Sequence, residues 1–161
     1  MKKSLIFVPI ALALAAVPTV PAVQSLLQNP SEQSNTATKP VFETVTRVVD
    51  GDTVLLAADW SPYDLEWKVR ILGIDTPEKG HLAHCEREQK LSKKAQALTE
   101  SLLGESLMRV RLKSVKHDKY GGRLDAEVIL ADGRSLGDEL IKSGLARPYT
   151  GDGPKPNWCR P

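Results

Sequence analysis

The chain has 161 residues, of which 41% are hydrophobic and 26% are charged, and this suits one globular domain with a terminal extension rather than two domains. Residues 1–40 contain three Lys and one Glu, so residues 41–161 hold 19 basic and 19 acidic side chains and are neutral, although the whole chain carries a net charge of +2. A neutral domain is a poor general binder of polyanions, which argues against a role in coating nucleic acid. Any contact with nucleic acid must therefore be made by a local basic patch.

The first 23 residues have the layout of a secretory signal peptide. Two lysines precede the apolar run of residues 5–17, and small residues follow, with candidate cleavage points after Ala15 and Ala22. An uncleaved membrane anchor is the alternative, because the apolar region approaches the roughly 20 residues that cross a bilayer. Three prolines interrupt that region and favour cleavage. We therefore predict an exported protein, periplasmic or secreted, that is attached to a membrane only if this segment is retained.

A flexible linker is predicted over residues 24–42, and one domain over residues 43–161. Residues 28–40 are polar, rich in Ser, Thr, Asn and Pro, and show no hydrophobic periodicity. Such a segment cannot bury enough apolar surface to fold alone.

Three strands open the predicted domain. Apolar and β-branched residues predict strands at Val45–Val49, Val54–Ala58 and Trp67–Leu72. The sequence DGDT turns the chain between the first two strands, and residues 59–66, which include Pro62, form a loop before the third.

An amphipathic helix follows over Glu86–Leu103. Its apolar residues recur at spacings of three and four, and Gly104 comes next, where a left-handed C-terminal residue belongs. The predicted buried stripe consists of Leu91, Ala95, Leu98 and Leu102.

Two strands and a short helix complete the pattern. Apolar and polar residues alternate over Leu107–Lys113 and Arg123–Leu130. Ser135 is a plausible N-cap with Asp138 three residues later, and this helix ends at Gly144. Three strands, a helix, two strands and a short helix are the element order of an oligonucleotide-binding (OB) barrel. We therefore predict an α+β fold, mainly β, in which a five-stranded OB barrel carries an inserted helix and a second short helix.

A local basic patch lies on and after the fourth predicted strand. Six basic side chains occur there against one acid, Asp118, which is the charge pattern expected where a neutral domain meets nucleic acid. The six are Arg109, Arg111, Lys113, Lys116, Lys119 and Arg123.

The two cysteines, Cys85 and Cys159, suit an exported protein. In an oxidising compartment such a pair is more often a disulfide than a metal site, and this one would close a loop of about 75 residues, contributing roughly 4 kcal/mol. The alternative is a zinc site formed by His81, His84 and Cys85, for which the sequence shows no fourth ligand.

Two carboxylates are predicted to meet at one end of the hairpin formed by the second and third strands. Asp52 precedes the second strand and Asp75 follows the third, so pairing brings them together. Two such acids repel unless a cation or a proton lies between them, and a hard divalent cation suits the pair. Arg70, on the third strand, would bind phosphate oxygens beside that cation, the alternative being a salt bridge to one of the same acids.

Four segments, VVDGDTV, VRILGIDTPE, DKYGGRL and SLGDELIKSGLARPY, resemble in this order the staphylococcal-type thermonucleases, which are calcium-dependent nucleases on a five-stranded OB barrel. The resemblance covers about residues 44–149. It implies that Asp52 and Asp75 bind Ca²⁺ through their carboxylates and that Thr76 does so through its backbone carbonyl. It further implies that Arg70 binds the scissile phosphate.

The same resemblance implies roles for three more side chains. Glu78 would orient or deprotonate the attacking water, and Lys119 and Tyr120 would contact a substrate phosphate. Tyr149 is a candidate to stack on a base, the alternative being a residue of the rim.

The chain departs from the family pattern in two places. Gly122 holds the position at which the family commonly has an arginine, and Arg123 follows it. We predict that Arg123 serves as the second phosphate-binding arginine, the alternative being a surface pair with Asp125 or Glu127. Residues 145–161 are rich in Pro and Gly and show no pattern of a third helix.

The sequence therefore predicts an exported, calcium-dependent nuclease that hydrolyses phosphodiester bonds in DNA, RNA or both. It implies a nucleic-acid substrate, no protein partner and a monomer. The alternative is a noncatalytic nucleic-acid-binding or interaction module on the same barrel, because a fold can be retained after its catalytic site has been lost. A nonenzymatic envelope protein is a third possibility.

Overall fold

The computed structural model describes residues 41–58, 66–119 and 121–160. The predicted signal peptide, nearly all of the predicted linker, most of the predicted loop at 59–66 and Tyr120 lie outside these residues. Within them, no helix is both long and apolar enough to cross a membrane.

Five strands close into a barrel. They are β1 (Glu43–Asp50), β2 (Thr53–Ala57), β3 (Glu66–Ile71), β5 (Arg109–His117) and β6 (Leu124–Leu130). The order around the barrel is β1-β2-β3-β6-β5, and all neighbours are antiparallel except β3 and β6, which run parallel. The predicted α+β fold with a five-stranded OB barrel is confirmed.

Two short strands were missed by the sequence pattern. They are β4 (Ile74–Asp75) and β7 (Arg147–Pro148), which pair with each other outside the barrel. Two residues are too few to show a periodicity, which explains why neither was predicted. This pairing brings the start of the C-terminal segment, residues 149–160, here called the tail, beside the end of β3.

The first helix, α1 (Glu86–Glu105), is longer than predicted, and its buried face includes Ala95 and Leu102 of the predicted stripe but is shifted around the helix. Leu91 and Leu98 are only partly buried. Thr99 is fully buried, and its hydroxyl donates to the carbonyl of Gly51 over 2.8 Å. The buried residues are Glu88, Ser92, Ala95, Thr99, Leu102 and Leu103, so polar groups that satisfy buried backbone partners replace part of the expected apolar stripe.

Gly51, in the turn between β1 and β2, leaves no room for a side chain. A Cβ atom there would lie 2.7 Å from the Ala95 side chain and 3.0 Å from the Thr76 hydroxyl. The turn, α1 and the segment after β4 therefore meet in close contact at this one position.

The end of α1 differs from the prediction. Gly104 lies inside the helix, and the left-handed backbone conformation is taken by Leu107 and Met108, at φ values of 54° and 56°. The Met108 amide donates to the carbonyl of Leu103 over 2.8 Å, which satisfies an end-of-helix carbonyl, and Met108 packs on the core. Strand β5 consequently begins at Arg109 rather than Leu107.

The second helix, α2 (Leu136–Lys142), begins as predicted. The Ser135 hydroxyl accepts a hydrogen bond from the Asp138 amide over 3.2 Å, and Gly144 has a φ of 73° just beyond the helix end. Both helices cover the barrel core. Fully buried side chains there include Val54, Val69, Leu103, Val110, Val128, Leu130 and Leu140.

Candidate active site

The hairpin of β2 and β3 brings Asp52, Arg70 and Asp75 together. One terminal nitrogen of Arg70 lies 3.1 Å from Asp52 Oδ2 and 3.5 Å from Asp75 Oδ1. Arg70 pairs across the hairpin with Thr53, and the amide after it donates to the Asp52 carbonyl over 2.8 Å. Strand register therefore fixes all three side chains at what we call the hairpin end, meaning Asp52, Arg70, Asp75 and Thr76.

Both aspartates of the hairpin end are buried. Asp52 is 4% exposed and Asp75 is 1% exposed. The Thr76 amide donates to Asp52 Oδ2 over 3.2 Å. Burial raises the pKa of Asp52 to about 7, because it outweighs the attraction of Arg70, and the negative charges of Asp50 and Asp75 act in the same direction as burial.

The donor set at the hairpin end fits a hard divalent cation. Trp158 Nε1 donates to Asp75 Oδ2 over 3.0 Å, whereas Asp75 Oδ1 is buried and accepts no hydrogen bond within the described part of the chain. Carboxylate oxygens are the ligands such a cation prefers, and in its absence Arg70 contacts both of these buried carboxyl groups while Lys155 also lies close to Asp75. The residues that would hold it are Asp52 and Asp75, through their carboxylates, and Thr76, through its carbonyl.

Glu78 lies at the rim of the same site. Its carboxylate contacts the ammonium of Lys155, which is also 3.3 Å from Asp75 Oδ1. Its amide donates to a carboxylate oxygen of Glu88 over 3.3 Å, and Glu88 is itself buried in the first turn of α1. The helix thus holds the backbone of Glu78 while the tail contacts its side chain.

The loop between β5 and β6 is shaped by two glycines. Gly121 and Gly122 have φ values of 74° and 76°, a left-handed conformation that residues with a Cβ rarely adopt. The Asp118 amide donates to the carbonyl of Arg123 over 3.1 Å and closes the loop. The loop ends where β6 starts to pair with β3.

Arg123 lines the cleft and is held by Asp118. Its Nε and one terminal nitrogen lie 2.8 Å and 2.6 Å from the same oxygen of Asp118. The partner is therefore neither Asp125 nor Glu127, the two acids of β6 considered from the sequence. An acid from its own loop orients Arg123, and its role toward phosphate stays a prediction.

Of the predicted substrate contacts, Lys119 touches the tail and Tyr149 is its first residue. Lys119 Nζ donates to the carbonyl of Gly151 over 3.0 Å and lies 3.6 Å from Asp152. The Tyr149 hydroxyl donates to the carbonyl of Gly153 over 3.1 Å. Both residues shape the tail as well as the cleft.

These side chains line one open cleft of about 560 Å³. Asp75 is not part of its wall and lines a neighbouring cavity with Lys155 and Trp158. The predicted residues in the wall are Asp52, Arg70, Thr76, Glu78, Lys119, Arg123 and Tyr149. Lys116, His117 and Lys155 also contribute, so the wall mixes basic groups with the buried acids.

Sequence reasoning missed Lys155, Trp158 and Asp118. The tail shows no periodicity, and the one signal in it is that Trp158 stands directly before Cys159. The sulfur atoms of Cys85 and Cys159 lie 2.19 Å apart, with Cα atoms 5.9 Å apart. Among the described residues, these two sulfurs converge with Glu88, and neither histidine of the alternative zinc site joins them.

Comparisons with known proteins identify the relatives of this chain. A family model described as "Staphylococcal nuclease homologue" matches residues 68–157. Endonuclease YhcR of Bacillus subtilis (strain 168) is 34% identical over 109 residues, which are 65% of this chain and 9% of that protein. Thermonuclease of Staphylococcus intermedius is 33% identical over 118 residues, 73% of this chain and 66% of that protein. Thermonuclease of Staphylococcus hyicus is 33% identical over 103 residues, 64% of this chain and 56% of that protein. The match thus spans less than two thirds of each relative.

Proposed function

Because this chain belongs to the staphylococcal nuclease family, we propose that it is a metal-dependent nuclease that hydrolyses phosphodiester bonds in DNA, RNA or both. The observation that carries this proposal is the convergence of Asp52, Arg70 and Asp75 at the hairpin end, with Asp52, Arg70 and Glu78 lining one open cleft. Relatives named endonuclease and thermonuclease support it.

Calcium is the cofactor we propose. Asp52, Asp75 and the Thr76 carbonyl would hold it, and a bound cation supplies positive charge that stabilises the phosphate oxygens as negative charge develops on them. The buried carboxylate pair supports an oxygen-liganded ion rather than a thiolate site.

The chain's own side chains then perform the remaining steps. Arg70 and Arg123 hold the oxygens of the scissile phosphate and bind the transition state more tightly than the ground state. Glu78 orients the attacking water and accepts its proton as the water oxygen bonds to phosphorus, a contribution of roughly 100- to 10,000-fold. The bond between phosphorus and the 5′ oxygen breaks, and the leaving oxygen takes a proton from solvent. Lys119, Tyr120 and Tyr149 contact the flanking nucleotides along the cleft.

The setting we propose is outside the cytoplasm. The signal-like residues 1–23 support export, and the pair Cys85 and Cys159 is then a disulfide that fastens the tail to the start of α1. The active form is a monomer that acts without a protein partner.

Cleavage with and without the metal tests the function. Labelled DNA and RNA are incubated with the purified protein, with Ca²⁺ or with excess chelator, and Glu78→Gln serves as the matched inactive control. We expect products only with Ca²⁺, ending in 3′-phosphates, and at least about 100-fold less product from the control.

Two results would contradict the proposal. Folded protein that cleaves neither nucleic acid with Ca²⁺ present is not a nuclease of this kind. Affinity for nucleic acid that falls with salt, without any cleavage, would indicate a binding module instead.

A further inference from the structure

Lys155 is the tail residue that reaches the buried acids. Its ammonium contacts the Glu78 carboxylate and lies 3.3 Å from Asp75 Oδ1, the oxygen that accepts no hydrogen bond within the described residues. A terminal nitrogen of Arg70, which also contacts Asp52, lies 3.5 Å from the same oxygen of Asp75. Asp75 Oδ1 is therefore a point where two cationic side chains meet one buried carboxylate.

The position of Lys155 is fixed by anchors immediately after it in the chain. Trp158 is 3% exposed and donates to the other oxygen of Asp75. The guanidinium of Arg147 lies 4.4 Å from the Trp158 ring centre, and it donates to the carbonyl of Asn157 over 2.9 Å. Cys159 meets Cys85 one residue later. These contacts hold the backbone close to Lys155 in place, whereas the backbone of a typical surface lysine has no such anchors.

The Lys155 ammonium lies between solvent and the acids of the site. The side chain is 46% exposed, so one side of it faces solvent while the other meets Asp75, which is 1% exposed. An isolated surface pair has no such buried partner.

We propose that Lys155 is a positioning residue of this site: its ammonium is the counter-cation that holds the Glu78 carboxylate beside Asp75, and it competes with a divalent cation for Asp75. The part of this inference that concerns catalysis rests on the proposed nuclease function, whereas the part that concerns cation affinity does not.

Neutralising Lys155 should move two measured quantities in opposite directions. Affinity for Ca²⁺ should rise, by roughly tenfold, because a positive charge close to Asp75 is removed. Turnover should fall, by about tenfold, with little change in KM, because Glu78 loses the group that holds it. A merely structural role predicts that both quantities fall together.

The experiment compares four proteins with the cysteine pair intact. Ca²⁺ alone is titrated calorimetrically into the wild type, Lys155→Gln, Lys155→Arg and Lys142→Gln, and steady-state cleavage is measured on the same samples. Lys142 is the matched control because it is an exposed lysine at the end of α2 that pairs with Glu139 and does not line the cleft. We expect Lys155→Arg and Lys142→Gln to resemble the wild type. If Lys155→Gln does not fold, Lys155→Met, which keeps most of the alkyl chain, replaces it.

Equal or weaker Ca²⁺ binding by the neutral variant overturns the proposal, and so does unchanged turnover in an active enzyme. If the wild type cleaves nothing, the proposed function fails, and the calorimetric result alone decides whether Lys155 is the counter-cation of Asp75.

Discussion

The hairpin end and the tail contribute to the same site by different means. Asp52, Arg70 and Asp75 are placed by strand register, since β2 and β3 pair residue by residue and Asp75 belongs to β4 directly after them. Lys155 and Trp158 come from a segment without helix or strand and are placed by contacts distant in sequence. A barrel can thus hold its acids rigidly while an irregular segment supplies the groups that balance their charge.

The largest expected effect comes from breaking the hairpin end itself. Arg70→Ala should lower kcat/KM by roughly 1000-fold, because the transition state loses a preorganised cation. Arg47→Ala, an exposed arginine on β1, is the matched control and should leave activity unchanged. Initial rates on labelled DNA measure both. A decrease in kcat/KM of less than about tenfold would indicate that the scissile phosphate does not bind at the hairpin end.

Releasing the tail should cost stability while leaving the barrel folded. The double variant Cys85→Ser with Cys159→Ser should lose about 4 kcal/mol of unfolding free energy, since the unfolded chain regains the freedom of a long loop. Urea denaturation measures the change, and a reductant should lower the midpoint of the wild type but not of the double variant. Equal stability of the two proteins would contradict a disulfide.

The loop between β5 and β6 lies between these two cases, because its backbone is irregular but both of its ends belong to paired strands. Arg123→Ala should lower turnover by roughly 100-fold with little change in folding, because the arginine faces the cleft. Arg47→Ala again serves as control. Near-normal turnover would leave Arg70 as the one arginine assigned to the phosphate among the described residues.

The smallest effect concerns the pH dependence of stability without metal. The folded protein holds a proton on Asp52 up to about pH 7, whereas the unfolded chain releases it near 3.8, so this contribution to stability is complete below pH 3.8 and is lost as the pH rises through 7. With chelator present, stability should fall by up to about 1.4 kcal/mol between pH 5 and pH 6. Urea midpoints at the two values measure it.

Asp52→Asn provides the control for that measurement. It cannot titrate, so the part of the pH dependence that comes from Asp52 should disappear. An identical fall in wild type and variant would assign the effect to other groups.

The barrel and the hairpin end were predictable because both follow from periodic patterns. Runs of apolar and β-branched residues predicted the first three strands, alternation predicted β5 and β6, and the lengths of β2 and β3 placed Asp52 beside Asp75. The details that failed depend on tertiary contacts: Thr99 is buried because its hydroxyl satisfies a carbonyl of a distant turn, and Met108 adopts a left-handed conformation although glycine stands four residues earlier.

The tail could not be predicted in the same way. Lys155 belongs to the sequence GPKPNW, which specifies neither a helix nor a strand, and its position depends on an acid 80 residues earlier in the chain. The cysteine pair was the one feature of the sequence that predicted attachment of the tail to the domain. It did not predict which residues the tail would contact.

The close packing around Gly51 links the formation of the site to the docking of α1. Because the turn that carries Asp52 touches Ala95 and is bonded to Thr99, the carboxylate reaches its place only when the helix is seated. We therefore expect opening of α1 and displacement of the Asp52 carboxylate to be a single cooperative event. Cation binding should accordingly slow amide hydrogen exchange throughout α1, including turns far from any ligand.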